Sequence, residues 1–211
     1  MTFPRLPDHE RAYALVERDD GALYRLYGGR AGPRLPHDIM HFVVERELGI
    51  HDGIWGGIAS GIIFDSMQHV SGRRPPQPRE RSAEFLAAFH SRGLRAEVLA
   101  NFVQCVAGLR HPTDVQILTL AATQLSALPD ADADVEPAEV AAAAQALQVE
   151  AARWARLRVG EELSYEWPRT ALPRGVPGGS SPRGGTARRR ARASKPRVVR
   201  PYKKRKGRGP A

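Results

Sequence analysis

The segment RLPHDIMHFVVERELG, residues 34–49, places four ionisable side chains in otherwise apolar surroundings. His37 and His41 are four residues apart, so on an α-helix their imidazole rings lie on one face and can point to one ion. Asp38, three residues before His41, can add a carboxylate oxygen from the same turn. Zinc and other divalent transition metals accept such mixed nitrogen and oxygen ligands. The spacing therefore predicts a metal site on His37, Asp38 and His41.

Glu45 lies two turns beyond His37, too far along the helix to meet the same ion directly. We expect it to hold His41 by a hydrogen bond, as outer carboxylates commonly do for metal-bound imidazoles. A second interpretation needs no metal. In it, Asp38 interacts favourably with the helix dipole near the N-terminus, and the histidines are partly buried hydrogen-bonding groups. The residues alone leave both interpretations open.

The same stretch resembles the zinc-containing proteins of the ubiquinone-biosynthesis family. Their signature is similar to His-Asp-x-x-His with a glutamate twelve residues after the second histidine, and His37, Asp38 and His41 match it position by position. The twelfth position here is Gly53, preceded by Asp52. The resemblance is local, and it implies zinc as the metal. The string LPHD..HFVVE also resembles small bacterial proteins of unassigned function, which implies a bacterial protein without implying an activity.

Basic residues are concentrated at one end of the chain. Residues 169–211 contain 15 of the 32 Lys and Arg and no Asp or Glu, whereas residues 1–168 have 17 basic and 23 acidic residues, a net −6. The 169–211 segment is rich in Gly and Pro and poor in apolar residues, so we expect a disordered tail. Such a tail either adds only solubility or neutralises nucleic-acid phosphates without sequence preference. The residues predicted to contact nucleic acid are Arg188, Arg189, Arg190, Arg192, Lys203, Lys204, Arg205, Lys206 and Arg208.

Residues 1–168 are predicted to form one globular α+β domain, because a body of this length can bury a substantial core. RAYALVERDDGALYRLYG predicts a β-hairpin, since its apolar residues alternate around Asp20-Gly21, a pair suited to positive φ. RLRVGEELSYEW predicts a late strand that returns to this hairpin. The segments between are mostly helical, so the domain should be largely α-helix with a small antiparallel sheet.

Helical periodicity predicts the elements between the strands. The expected helices cover residues 36–49, about 53–67, 83–90, 95–107 and 113–128, and an alanine-rich stretch that ends at about residue 156. The proline-rich segment SGRRPPQPRERS, residues 71–82, should be a loop. Gly53, Gly57 and Gly61 are spaced four apart, a pattern that lets another backbone approach a helix closely.

The composition excludes several classes of protein. Cys105 is the only cysteine, which argues against a disulfide framework or a cysteine-rich zinc module and is typical of a reducing cytoplasm. Its apolar neighbours predict that it is buried. The longest apolar stretch, residues 54–64, is far below the roughly 20 residues that cross a bilayer, and no secretory signal is recognisable. We therefore expect a cytoplasmic protein without a membrane span.

Three functions fit these features. The first is a metal-dependent enzyme in which Asp38 or Glu45 moves protons beside a metal-bound water. The second is a non-enzymatic DNA-binding or other nucleic-acid-binding module whose histidines are structural. The third is an interaction module whose helical body packs on a protein partner or on a second copy of the chain, as a homo-oligomer. Metal content separates the first from the others, and deletion of the tail separates the second from the third.

Overall fold

The structure, a computed structural model, describes residues 1–73, 78–126, 128–129 and 134–168, with the backbone alone at residues 78–92. In these residues the chain forms five helices and a five-stranded antiparallel sheet, so the predicted α+β class is confirmed. The strands are β1 (Thr2–Pro4), β2 (Arg11–Glu17), β3 (Leu23–Arg30), β4 (Met67–Ser71) and β5 (Glu162–Ser164). The helices are α1 (His37–Glu47), α2 (Ile54–Ser60), α3 (Pro78–Ala107), α4 (Asp114–Gln124) and α5 (Pro137–Arg156).

The sequence also predicted a disordered tail and the absence of a membrane span. The basic tail, residues 169–211, lies outside the described residues, so its disorder stays a prediction. None of the helices in the described parts of the chain is both long enough and apolar enough to cross a membrane.

The predicted hairpin is present and forms the centre of the sheet. β2 pairs antiparallel with β3 in a register that puts Tyr13 opposite Tyr27. Gly21 has a φ of +78° in the connecting turn, a conformation that a Cβ disfavours and that explains the glycine at this position. The complete sheet has the order β4-β3-β2-β1-β5.

Two short strands extend the sheet beyond the predicted ones. β1 lies between the hairpin and β5. The late strand was expected to pair with the hairpin, but it pairs with β1 instead. β4 occupies the other edge, and it begins at Met67, where the sequence predicted the end of a helix. Helix α2 stops at Ser60 because Gly61 takes a left-handed conformation with a φ of +115°, which an α-helix cannot continue.

The long helix α3 replaces two predicted helices and part of a predicted loop. It begins at Pro78, inside the expected 71–82 loop, since proline is tolerated at the first helical position. Gly93 does not interrupt it. A glycine costs a helix about 1 kcal/mol relative to alanine, and the packing of α3 on α1 and α5 outweighs this cost. The alanine-rich α5 ends at Arg156, as predicted.

Two local predictions differ from the structure. Cys105 is exposed on α3 and not buried, because Phe102, Val103 and Val106 are the residues that α3 turns into the core. Two of the three spaced glycines flank α2, with Gly53 as its N-cap and Gly61 as its C-cap, and only Gly57 lies buried within the helix.

Helix α1 lies in the middle of the core. Inward-facing residues of the sheet meet it from one side, and helices α2, α3 and α5 pack around it. The buried residues at this junction include Ala14, Val16, Tyr24, Leu26, Ile39, Phe42, Val43, Trp55, Leu99, Phe102 and Leu147. Packing on several sides fixes the rotation of α1 about its axis, and with it the direction of the polar side chains that the sequence singles out.

Candidate metal centre

The polar side chains of α1 run from the surface into the core. The helix begins at His37, directly after Pro36, and its end is followed by Gly49 with a φ of +63°. His37 keeps 56% of its side chain exposed, whereas His41 and Glu45 are 1% and 0% exposed. His37 and His41 therefore share one face of the helix, as their spacing predicts, but only the first turn of that face meets solvent.

Glu97 of α3 joins the two histidines in one group. Its Oε2 lies 2.9 Å from Nε2 of His41, and its Oε1 lies 3.5 Å from Nε2 of His37. One ligand atom from each of the three residues lies within 4.8 Å of the others. Ligand atoms around a tetrahedral zinc ion, with bonds of about 2.0–2.2 Å, are about 3.3 Å apart. Small side-chain movements would therefore let the three atoms enclose one ion.

Asp38 lies outside this group. Its carboxylate packs against Gly28 of β3, where a Cβ would collide with it. Its backbone oxygen accepts a hydrogen bond from Nε1 of Trp55 at 2.9 Å. Burial raises the pKa of Asp38, an effect that the neighbouring histidines partly oppose. The three residues that the structure brings together thus include Glu97 in place of Asp38, and Asp38 as a ligand stays a prediction.

The side chain of Glu45, on α1, caps the N-terminus of helix α2. Its Oε1 accepts a hydrogen bond from the backbone N–H of Ile54 at 2.9 Å, and its Oε2 accepts one from Trp55 at 2.8 Å. A carboxylate here satisfies N–H groups that have no partner inside the helix and interacts favourably with the helix dipole. Gly53 permits the approach, because a Cβ at that position would collide with the Glu45 carboxylate.

The same carboxylate faces His41. Oε1 of Glu45 lies 3.6 Å from Nδ1 of His41, while Glu97 lies at Nε2 on the other side of the ring. The predicted hydrogen bond is not formed at this distance, and a movement of a few tenths of an ångström would form it. A carboxylate at Nδ1 favours a proton on that nitrogen and leaves the lone pair of Nε2 for a ligand bond.

The charges of the group favour a bound cation. Burial alone would lower the pKa of His41, but the carboxylates of Glu45 and Glu97 outweigh burial and raise it. Burial would likewise raise the pKa of Glu97, but a 2.9 Å hydrogen bond from Nδ2 of Asn101 and the nearby His41 and His37 lower it instead. Glu97 is therefore ionised at neutral pH, and a proton and a metal ion compete for Nε2 of His41.

Sequence reasoning missed Glu97 because no local spacing connects it to the histidines. It lies 56 residues after His41, and only the packing of α3 across α1 brings the two together. One weak signal was present: Glu97 is the only acidic residue between Arg95 and Ala107, in a mainly apolar stretch of helix.

Comparisons with known proteins add no family to this description. No family model matches the chain, and no curated protein and no solved structure matches it either.

Proposed function

We propose that this protein binds one divalent transition metal ion, zinc, through His37, His41 and Glu97. The observation that carries the proposal is the Glu97 carboxylate, which comes from a separate helix and reaches the Nε2 atoms of both histidines. Two imidazoles and one carboxylate are the protein ligands of several catalytic zinc sites that keep a fourth position open. The exposed side chains of His37 and Glu97 leave that position on the solvent side, where water or a substrate can enter.

The chain's own residues would divide the work at such a site. A zinc ion supplies Lewis acidity and lowers the pKa of a bound water. His37, His41 and Glu97 would hold the ion, and Glu45 would orient His41. Because Glu45 is buried and accepts hydrogen bonds from backbone N–H groups, it is unsuited to exchange protons with solvent. Asp38, next to His37 in sequence, would take that role, for which its carboxylate has to turn from Gly28 towards the histidines.

The local resemblance to the ubiquinone-biosynthesis zinc motif also favours zinc. That signature has a glutamate at the position of Gly53, and in this chain the Glu45 carboxylate lies against Gly53. An acidic group is thus available in the same part of the site, supplied from a different position in the sequence. A metal-dependent enzyme remains our first proposal for the activity, without a named reaction.

A structural ion pair is the competing explanation. In that case His41 carries a proton and lies between the Glu45 and Glu97 carboxylates, and no metal is needed. Iron(II) is the competing metal, because two histidines and one carboxylate are also the ligands of non-haem iron sites with open positions. Elemental analysis distinguishes all three outcomes.

The test is the metal content of protein prepared without a polyhistidine tag. We expect close to one zinc per chain in the wild type and none in Glu97→Gln or in the His37→Ala, His41→Ala double variant. Asp38→Asn is the matched control, because it removes a carboxylate next to His37 and should keep the metal. If Asp38→Asn loses the metal and Glu97→Gln keeps it, the ligand set predicted from sequence is the right one. A folded wild type that takes up no zinc on titration supports the ion pair.

We also propose that residues 169–211 bind nucleic acid. The specific observation in favour is the segregation of charge, with 15 Lys and Arg and no acidic residue in this segment. Basic segments of this density bind phosphates without sequence preference, and their affinity falls steeply as the salt concentration rises. This second function is independent of the metal proposal, since the two rest on different parts of the chain.

A further inference from the structure

The outer face of the sheet carries a patch that we define as Arg11, Tyr13, Arg25, Tyr27 and Gln68. In β2 and β3, alternate residues are buried in the core that the helices cover. Tyr13 and Tyr27 form a cross-strand pair and point to the opposite face, where they are only partly buried. The patch thus lies on the side of the sheet away from the metal centre.

Two arginines of the patch stack on its two tyrosines. Cζ of Arg11 lies 4.5 Å from the centroid of the Tyr27 ring, and Cζ of Arg25 lies 4.6 Å from that of Tyr13. Arg25 is also 5.9 Å from the Tyr27 ring, so it bridges the pair. The Tyr27 hydroxyl donates a hydrogen bond to Oε1 of Gln68 at 3.0 Å. These contacts hold the aromatic rings and guanidinium groups in fixed positions before any ligand arrives.

The guanidinium groups of the patch retain unused hydrogen-bond donors. In the described part of the chain no ion pair joins a carboxylate to Arg11 or Arg25. Nε of Arg25 is buried, and its Nη1 donates a 3.4 Å hydrogen bond to the Tyr27 hydroxyl, so the donors open to a ligand come chiefly from the exposed Arg11. The acidic residues of the same face are at its margins, with Glu17 at the end of β2 and Glu162 two strands away on β5. The patch is therefore locally positive although residues 1–168 carry a net −6.

We infer that this patch binds single-stranded nucleic acid. Unpaired bases stack on aromatic rings and on arginine planes whatever their sequence, and arginine N–H groups donate to phosphate oxygens. A sheet face that presents both groups fits this ligand. A duplex keeps its bases stacked on one another, so it offers the patch only its backbone. A second protein chain fits less well, because the patch is built of charged and hydroxyl-bearing groups and is not an extended apolar surface.

The test compares single-stranded and duplex ligands on the full chain by fluorescence anisotropy. The probes are a labelled twelve-nucleotide oligouridine and a labelled duplex of equal length. We expect Tyr13→Leu combined with Tyr27→Leu to weaken binding of the single strand by about tenfold or more, with unchanged affinity for the duplex. Arg110→Gln removes one positive charge from an exposed site after α3, as Arg25→Gln does from the patch, so it is the matched control for Arg25→Gln and should bind both probes as the wild type does.

Additional variants keep the result interpretable. Tyr27→Phe retains the ring and should retain the affinity, whereas Arg25→Gln leaves both rings and should lose affinity for the single strand, even if the double leucine variant folds poorly. Single-strand affinity that survives the folded double variant, or equal losses in the Arg110→Gln control, would overturn the inference. Self-association of the chain that Arg25→Gln abolishes, without single-strand binding, would identify the patch as a protein interface instead.

Discussion

Glu45 is the residue on which two parts of the molecule depend, since its carboxylate binds the first N–H groups of α2 and faces Nδ1 of His41. We predict that Glu45→Gln weakens zinc affinity by about tenfold or more, because a glutamine amide facing Nδ1 no longer favours the proton there. Zinc competition with a chromophoric chelator measures the change. Glu47→Gln, on the exposed side of the same helix, is the control. Equal zinc affinities in the two variants would show that Glu45 does not support the metal site.

His41 gives the metal-free protein a pH dependence with a definite sign. Glu45 and Glu97 raise its pKa in the folded state above the ordinary value of about 6.5. The resulting stabilisation is complete below pH 6.5 and is lost as the pH rises through the raised pKa. With a chelator present, we predict that the Tm of the wild type falls from pH 6 to pH 8, and that His41→Asn falls less. Thermal unfolding followed by circular dichroism gives both slopes, and equal slopes would contradict the prediction.

The histidines were predictable and their carboxylate partner was not, for a physical reason. The spacing of His37 and His41 puts them on one face of any α-helix, so sequence alone indicates that they meet. Asp38 lies in the same turn as the histidines, so its spacing also suggests that it meets them. The carboxylate of Asp38 points instead to Gly28 of β3, where the missing Cβ leaves space for it. Glu97 depends on how two helices pack, which local periodicity does not encode.

At the scale of elements, α2 is a short helix whose beginning depends on a side chain from α1. We predict that Gly53→Ala lowers the free energy of unfolding by about 1–2 kcal/mol, the usual cost of losing a helix N-cap, and weakens zinc binding as well. The reason is that the added Cβ would displace the Glu45 carboxylate. Denaturant unfolding and zinc titration measure the two effects.

Gly29→Ala, at the end of β3, is the control for this substitution, since its added Cβ would meet nothing within 4 Å. Its stability and zinc affinity should stay close to those of the wild type. A Gly53→Ala variant that behaves like Gly29→Ala in both measurements would show that Glu45 does not need the space beside Gly53.

The elements that the sequence predicted correctly have strong local signals. The hairpin has Asp20-Gly21 in its turn, α1 has Pro36 before it and Gly49 after it, and α5 has a long alanine-rich repeat. Strand β1 has only three residues and lies in no longer alternating stretch, and in the five residues of β4 only Met67 is buried, so neither strand shows a clear alternation. The continuity of α3 through Gly93 depends on its packing against other helices, and so only the fold determines it.

At the scale of the whole molecule, charge divides the chain into an acidic body and a basic segment. We predict that removal of residues 169–211 abolishes binding to duplex DNA, because the remaining residues carry a net −6. In the full chain the affinity should fall steeply with salt, as expected if roughly 6 to 10 phosphates are neutralised. The shortened protein should keep a cooperative thermal transition and its zinc. Undiminished DNA binding after the deletion, or loss of the cooperative thermal transition, would contradict a folded body and a separate DNA-binding segment.

The place of β1 in the sheet has a consequence for how the chain folds during synthesis. One edge of β1 pairs with β2, which follows within a few residues, but the other pairs with β5, where Thr2 lies opposite Ser164. A nascent chain can therefore build the hairpin early and must leave one edge of β1 unpaired until β5 emerges from the ribosome. Closing so long a loop slows folding, and an open strand edge is a site for wrong pairing. The earliest of the five described strands thus completes its pairing last.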